Sequence, residues 1–228
     1  MNAHPQKRKV ATLEIEPRPL EKPVDTFSGQ SANILRELVL TGQLETGKRL
    51  NEVELAKALG ISRGPLREAI NVLKGEGLLT SVNHRGTFVR TFNRGELRDL
   101  YEVRIALETH ALRIAPFDGF ANLNQLVSET RSVMATTTAG YPRELDFHDM
   151  LMLSTGNDAL VRVSRENNRQ ILIARSISGH DPERAQAALQ EHIAIVQELV
   201  VGNRVAAQSL LEEHWRTSLE SVIDVLST

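Results

Sequence analysis

Cysteine is absent from this 228-residue chain. Disulfides, thiolate metal sites and cysteine nucleophiles are thereby excluded, and a reducing cytoplasm is the expected setting. Long hydrophobic runs are missing too, and none approaches the ~18 residues of a membrane span. Glu14, Glu16 and Pro17 break up the one apolar patch near the start, so neither a membrane partner nor a signal peptide is expected. The sequence holds no His-Glu-x-x-His pair, no Gly-x-Ser-x-Gly elbow and no phosphate-cradling glycine loop, which argues against an enzyme. Charge of one sign is not in excess either. Lys+Arg 27 against Asp+Glu 29 leaves a formal net charge of -2, with no overall pull toward nucleic acid or an anionic surface. What is present is ordinary globular material, 41% hydrophobic and 25% charged, in a length that suits one large domain or two small ones.

Near-neutrality hides a division. Residues 1–27 hold four of the eight prolines (Pro5, Pro17, Pro19, Pro23), lack periodicity, and read as a flexible N-terminal arm with a basic cluster at Lys7-Arg8-Lys9. Residues 28–90 carry nine Lys/Arg against six Glu, whereas residues 91–228 carry 13 Lys/Arg against 19 Asp/Glu. A basic front joined to an acidic back is a pointer to nucleic-acid contact that the whole-chain charge conceals. The pattern therefore divides into an arm (1–27), a front domain (28–92) and a back domain (93–228). The back is almost purely helical. Breaks near Pro116, Ala139 to Pro142, Ser154 to Asn157, Gly179 to Pro182 and Gly202-Asn203 cut it into six helices.

In the front domain, Ser31 to Thr41 reads as an amphipathic helix with Ile34, Leu35, Leu38 and Val39 on one face, closed by Gly42. Asn51 caps a second helix that Gly60 ends, and Ser62 caps a third running from Arg63 to about Lys74. Leu66, Ala69, Ile70 and Leu73 share one face of that third helix, while Arg63, Arg67, Asn71 and Lys74 share the other. Arg pairs bidentately with guanine, Asn with adenine, and Lys suits phosphate. Gly64 and Pro65 occupy the first turn, where a missing side chain lets backbone approach DNA. Leu78–Val82 and Thr87–Thr91 then flank a four-residue loop, Asn83-His84-Arg85-Gly86, forming a basic-tipped hairpin. Helix, tight turn, helix and hairpin together read as a winged DNA reader.

The run Gly42-x-Leu44-x-x-Gly47-x-x-Leu50-x-Glu52-x-x-Leu55-Ala56, with Leu59 to Ala69, Glu76-Gly77-Leu78-Leu79 and Arg85-Gly86, resembles the winged helix–turn–helix of the GntR family of bacterial regulators. The resemblance implies that Arg63 and Arg67 are the main operator contacts, with Gly64, Asn71 and Lys74 beside them. It also implies that His84, Arg85 and Gly86 form a wing entering the adjacent minor groove.

In the back domain, Glu144 and His148 are spaced i, i+4, which on a helix puts both on one face. His192 sits in an apolar stripe (Ala185, Leu189, Val196, Leu199), and His214 lies beside Leu210, Leu211 and Trp215. Each histidine can be read as a satisfied core residue, or the set can be read as one carboxylate and three imidazoles for a divalent cation, Zn²⁺ first, with Ni²⁺ or Fe²⁺ as alternatives. Tyr101-Glu102-Val103-Arg104, Leu107-Glu108, Glu144 to His148, Gly156-Asn157, Glu191-His192 and Glu212-Glu213-His214 resemble the FadR C-terminal (FCD) effector domain, in its shorter six-helix, VanR-like form. That resemblance implies an antiparallel helical bundle that dimerises and binds a small carboxylate beside a metal. Metal-binding members have Asp where Glu144 stands here. Asp146, two residues before His148, would lie roughly 200° round the helix and off that face. Arg104 is the candidate carboxylate clamp, with an i, i+4 ion pair to Glu108 as its other reading. Asn168 and Arg175 share a face of a later helix and are further effector candidates. The whole chain is therefore expected to be a mainly α, homodimeric, effector-responsive regulator on operator DNA. A metal-dependent hydrolase with a nucleic-acid-targeting domain is the alternative.

Overall fold

Thr26 starts the first helix: its hydroxyl accepts from the Gly29 N–H, one of the donors a helix start leaves without a partner. The computed structural model describes residues 26–136, 141–142, 146–177 and 182–225. Helix α1 (Phe27–Leu40) thus begins ahead of the expected Ser31. Its buried positions are Ser31, Ala32, Leu35 and Val39, and Ile34 is 46% exposed, so the apolar face is turned from the one read in the sequence. Asn51 caps α2 (Glu52–Ala58) through bonds from the Val53 and Glu54 N–H groups. Ser62 stands at the N-cap of α3 (Arg63–Gly75) but makes no capping bond. Pro65 at the third position of the helix removes one of the two N–H groups a cap usually takes, leaving only that of Gly64.

The wing is an antiparallel pair, β1 (Leu79–Val82) and β2 (Gly86–Val89), in the register Leu79↔Val89, Thr80↔Phe88, Ser81↔Thr87 and Val82↔Gly86. Gly86 pairs with Val82 and belongs to the strand, so the loop is three residues (Asn83, His84, Arg85), not four. Residues 48–50 run beside β2 through a single antiparallel bridge, Arg49 to Phe88, with the Leu50 N–H bonded to Thr87 O and the Val89 N–H to Lys48 O. Leu35, Leu66, Leu73 and Leu78 are fully buried and centre this front core.

Six α-helices follow among the described residues, as the sequence breaks predict: α4 (Arg94–Ile114), α5 (Phe120–Met134), α6 (Phe147–Leu153), α7 (Asp158–Ile177), α8 (Pro182–Val200) and α9 (Arg204–Val225), with a short 3₁₀ turn at Phe117–Gly119. A reciprocal capping box, Asn93 with Glu96, starts α4. Helices α4, α5, α8 and α9 pack side by side around Trp215, Phe120, Phe147 and Leu123. The two cores are not separate at residue 92. Leu97 of α4, Ile173 and Ala174 of α7, and Val222 of α9 are buried in the front core. The reader is therefore seated directly on the helical bundle.

Candidate functional site

On the reader, Arg63, Gly64, Arg67, Asn71 and Lys74 are all exposed on the face of α3 opposite Leu66, Ala69, Ile70 and Leu73, which are buried. This is the division the 3.6-residue period predicts. Arg67 meets Glu52 at 3.7 Å, an exposed pair worth about 0–1 kcal/mol and readily exchanged for a nucleic-acid partner. Among the described residues, Arg63 and Arg85 have no carboxylate partner. His84 takes φ 60° at the tip of the wing, which projects His84 and Arg85 into solvent, and Gly86 follows at φ 105°.

The bundle brings His148 of α6, His192 of α8 and His214 of α9 together, all three buried, with one ligand atom from each lying within 4.8 Å of the others. The Nδ1 sides face outward to oxygen partners. His148 Nδ1 meets Glu108 Oε2 at 2.8 Å, His214 Nδ1 meets Glu191 Oε2 at 2.5 Å, and His192 Nδ1 meets the Tyr141 hydroxyl at 2.9 Å. A carboxylate on Nδ1 fixes the tautomer that leaves Nε2 a lone pair. The Nε2 atoms of His148 and His192 stand 3.2 Å apart. Ring packing holds these directions: Phe147 stacks on His192 at 4.2 Å, and Trp215 lies 4.2 Å from His148.

Electrostatics keep the three rings neutral. Burial first, then Arg104, His214 and Arg175, hold the His148 imidazole well below its ordinary value. Burial and the neighbouring His214 and His148 do the same for His192. Burial lowers His214 as well, against the opposing pull of Glu191. Three neutral imidazoles are the form that ligates metal. Burial pushes Glu191 up, but its bonds from His214 and Arg184 prevail and leave the carboxyl below its usual range.

Glu144 lies outside the described residues. The helix argument made for it does not carry over, because α6 begins at Phe147 with Asp146 as its N-cap, bonded from the His148 and Asp149 N–H groups. Asp146 is thus a capping residue rather than a member of the helix face. Arg104 is 3% exposed and forms the i, i+4 pair: its Nε donates to Glu108 Oε1 at 2.8 Å, its Nη1 donates to Asn168 Oδ1, and its guanidinium lies 3.8 Å over the Trp215 ring. Asn168 also reaches Asp146 Oδ2 at 3.4 Å. Burial, with Arg104 and Arg184 nearby, lowers Arg175, so three guanidinium groups border the histidines.

Sequence reading missed Glu108 and Glu191 as imidazole partners, and it missed Tyr141 and Arg184. In sequence Glu108 pairs with Arg104 by its i, i+4 spacing, and Glu191 stands only beside His192; neither spacing points to an imidazole on another helix. Both carboxylates are engaged on Nδ1 atoms, so neither is a spare base for a bound water, as the hydrolase alternative would need. A cleft of about 320 Å³ between α5, α6 and α7 is lined by Leu126, Met150, Asp149 and Arg165, and Asp146 and Asn168 join it to the Arg104 network.

Two family models match the chain. The model for bacterial regulatory proteins of the gntR family matches residues 28–89, and the FCD domain model matches residues 99–217. The HTH-type transcriptional regulator YdhC of Bacillus subtilis is 28% identical over 214 residues, covering 91% of this chain and 95% of that protein. The Nta operon transcriptional regulator of Aminobacter aminovorans is 31% identical over 186 residues, covering 79% and 87%. A structure from Rhodococcus sp. RHA1, described as a GntR transcriptional regulator, superposes with a TM-score of 0.73 at 23% identity, covering 86% of this chain and 97% of that one. These relatives are regulators, and none supports the hydrolase reading.

Proposed function

From the premise that this chain belongs to the GntR family of bacterial regulators and carries its FCD domain, a DNA-binding and ligand-responsive transcription regulator, we propose how its residues divide the work. Arg63, Arg67 and Asn71 read base edges in the major groove, Gly64 lets the first turn of α3 approach the duplex, and Lys74 holds phosphate. His84, Arg85 and Gly86 enter the neighbouring minor groove. The sensor responds to a small organic acid, beside a site where His148, His192 and His214 hold a divalent metal ion, Zn²⁺ by preference over Ni²⁺ or Fe²⁺; Glu144, the fourth ligand expected from the sequence, lies outside the described residues. The observation that carries this reading is the convergence of three neutral imidazoles, each with its Nδ1 engaged by an oxygen group. The His148 and His192 Nε2 atoms lie 3.2 Å apart, and one ligand atom from each of the three rings lies within 4.8 Å of the others, so the three imidazoles would be the groups to hold the ion. A bound ion would supply open coordination positions for a carboxylate.

The residues around that site describe a response. Asn168, Arg169 and Gln170 are consecutive on α7. Asn168 accepts from Arg104 inside the sensor, Arg169 approaches Glu76 at the end of α3 (3.8 Å), and Gln170 accepts from Arg90 just beyond the wing (2.8 Å). Glu76 is held in turn by a two-pronged pair from Arg36 of α1, at 2.8 and 2.6 Å. An effector carboxylate that takes the place of Asn168 on Arg104, with Arg175 beside it, releases α7 on one side and shifts the reader's seat on the other. Helix α7 touches both sites, and for it to couple them its two arrangements must be biased by effector on one side and by DNA on the other. The reading further takes the protein to act in the cytoplasm as a homodimer, placing two readers on half-sites about one helical turn apart. No described helix is long and apolar enough to cross a membrane.

The test is a thermal-shift series of small mono-, di- and hydroxycarboxylates, with and without added Zn²⁺, followed by operator binding with any that stabilise. We expect one chemical class to raise the melting temperature only with metal present and to change DNA affinity. No stabilisation by any acid would overturn the sensor assignment. Light scattering of the purified chain decides the dimer.

A further inference from the structure

Gly86 leaves a slot on the wing, and Arg49 fills it. A Cβ built on Gly86 would lie 2.8 Å from Arg49 Nε and 3.3 Å from Nη2, so the guanidinium rests against the glycine backbone itself. The strand pattern explains how it gets there. Thr87 and Val89 of β2 are buried, as is Leu50 on the neighbouring segment. Side chains alternate across a strand, and residues directly opposite share a face. Arg49, bridged to Phe88, therefore lies on the outer face with Phe88 and Gly86. Phe88 occupies its place on that face, and Gly86 offers none. The side chain of Arg49 lies across that gap, its guanidinium against Gly86, the residue that follows Arg85 at the base of the loop.

Electrostatics set this arginine apart from its neighbour. Lys48 is paired with Glu45 at 3.4 Å, whereas among the described residues Arg49 has no carboxylate or other hydrogen-bonding partner. With its backbone fixed beside β2 and its guanidinium packed against a glycine, Arg49 has less conformational freedom to lose on binding than a side chain free in solvent. Its planar donor edge is available at the foot of a basic wing. On a duplex, the anion met at the edge of a groove is phosphate.

We propose that Arg49 is a DNA-backbone contact, a guanidinium seated in the Gly86 slot that clamps a phosphate flanking the groove entered by the wing. Gly86 thus serves two purposes: its φ of 105° turns the chain into β2, and its missing side chain makes room for the clamp. This inference rests on the wing's assignment to DNA but concerns a residue outside the set read from the sequence. It also makes a distinct claim. A phosphate contact adds affinity on every sequence, whereas a base contact adds it only on the right one.

The experiment uses the full chain, a duplex that the wild-type protein selects from a random pool, and an unrelated duplex of equal length, each titrated by anisotropy across salt. For Arg49→Gln and Arg49→Ala we expect about tenfold weaker binding on both duplexes, and a salt slope lower by about 1 per reader. Arg49→Lys, which keeps the charge, should retain the slope. Circular dichroism and the melting midpoint check that each variant is folded, and Arg49→Gln, which keeps most of the stem, remains informative if Arg49→Ala is not. An unchanged slope in folded Arg49→Gln would overturn the clamp, as would a loss confined to the selected duplex. If wild type selects no duplex at all, the reader assignment itself fails, which is a different result.

Discussion

His148 and His192, both buried, direct their Nε2 atoms at each other across 3.2 Å. Two lone pairs at that distance repel unless a proton or a cation lies between them, and Glu108 already takes the Nδ1 side of His148. A proton does so if the Tyr141 hydroxyl donates to His192 Nδ1 and His192 carries its proton on Nε2, and a metal ion does so in the proposed site. On the metal reading, we expect close to one divalent ion per chain in protein purified without chelator, and none in His192→Ala. Removing the ion should lower the melting temperature, because a ligand at 100 times its Kd stabilises the folded chain by about 2.7 kcal/mol. Elemental analysis of the wild type showing no metal would end this reading.

Glu108 is a positioning residue. It accepts from Arg104, His148 and the Trp215 indole N–H together. Glu108→Gln removes the charge with little change of shape, and the expected loss in metal affinity is about 10–100-fold, measured by competition with a chromogenic chelator. It also leaves Arg104 buried without a counter-charge, so urea denaturation should show a cost of about 3–5 kcal/mol. Wild-type metal affinity in the folded variant would show that the bond does not orient His148.

The recognition helix makes a separable prediction. Arg67→Ala is expected to abolish footprinting on the selected operator while melting temperature and metal content stay at wild-type values, because Arg67 is exposed and its only described ion pair is the loose contact with Glu52. A protected operator in this variant would remove Arg67 from the base-reading set.

Coupling through α7 predicts an effect at Glu76, which touches neither site. Glu76→Gln weakens the pairs with Arg36 and Arg169. The variant should still bind effector and DNA individually, but the change in operator affinity caused by effector should shrink by about 0.5–2 kcal/mol. Linkage requires the same reduction in the effect of DNA on effector affinity. Titrations in both directions check this, and an undiminished coupling would place the route elsewhere.

The metal-stripped chain should be acid-sensitive. His148, His192 and His214 have folded values below the ordinary imidazole value of about 6.5. Between the folded and unfolded values, the unfolded chain binds more protons, so stability falls as pH drops below about 6.5 and is unaffected above it. Melting temperatures of chelated protein from pH 8 to pH 5 provide the measurement. His148→Gln should flatten the decline, and an equally steep fall in that variant would remove His148 from its cause.

Some of this molecule is determined by the sequence alone, because the information is local. The alternation of Leu66, Ala69, Ile70 and Leu73 with Arg63, Arg67, Asn71 and Lys74 needs only the helical period, and α3 adopts that division. Glycine, proline and asparagine at the breaks cut the back domain into its six helices for the same reason. Local signals also mislead locally. Ser62 looks like a cap but has no N–H to receive at Pro65, and the spacing of Glu144 and His148 suggests a shared face on a helix that begins at Phe147. Tertiary packing decided the rest. Which oxygen meets each imidazole depends on partners up to 51 residues apart, as with Tyr141 and His192, and no periodicity links positions on different helices. The pairing of Arg49 with Gly86 is equally invisible in sequence, because it arises only when residues 48–50 lie along β2 and a face that alternation assigns to Arg49 has an empty position beside it.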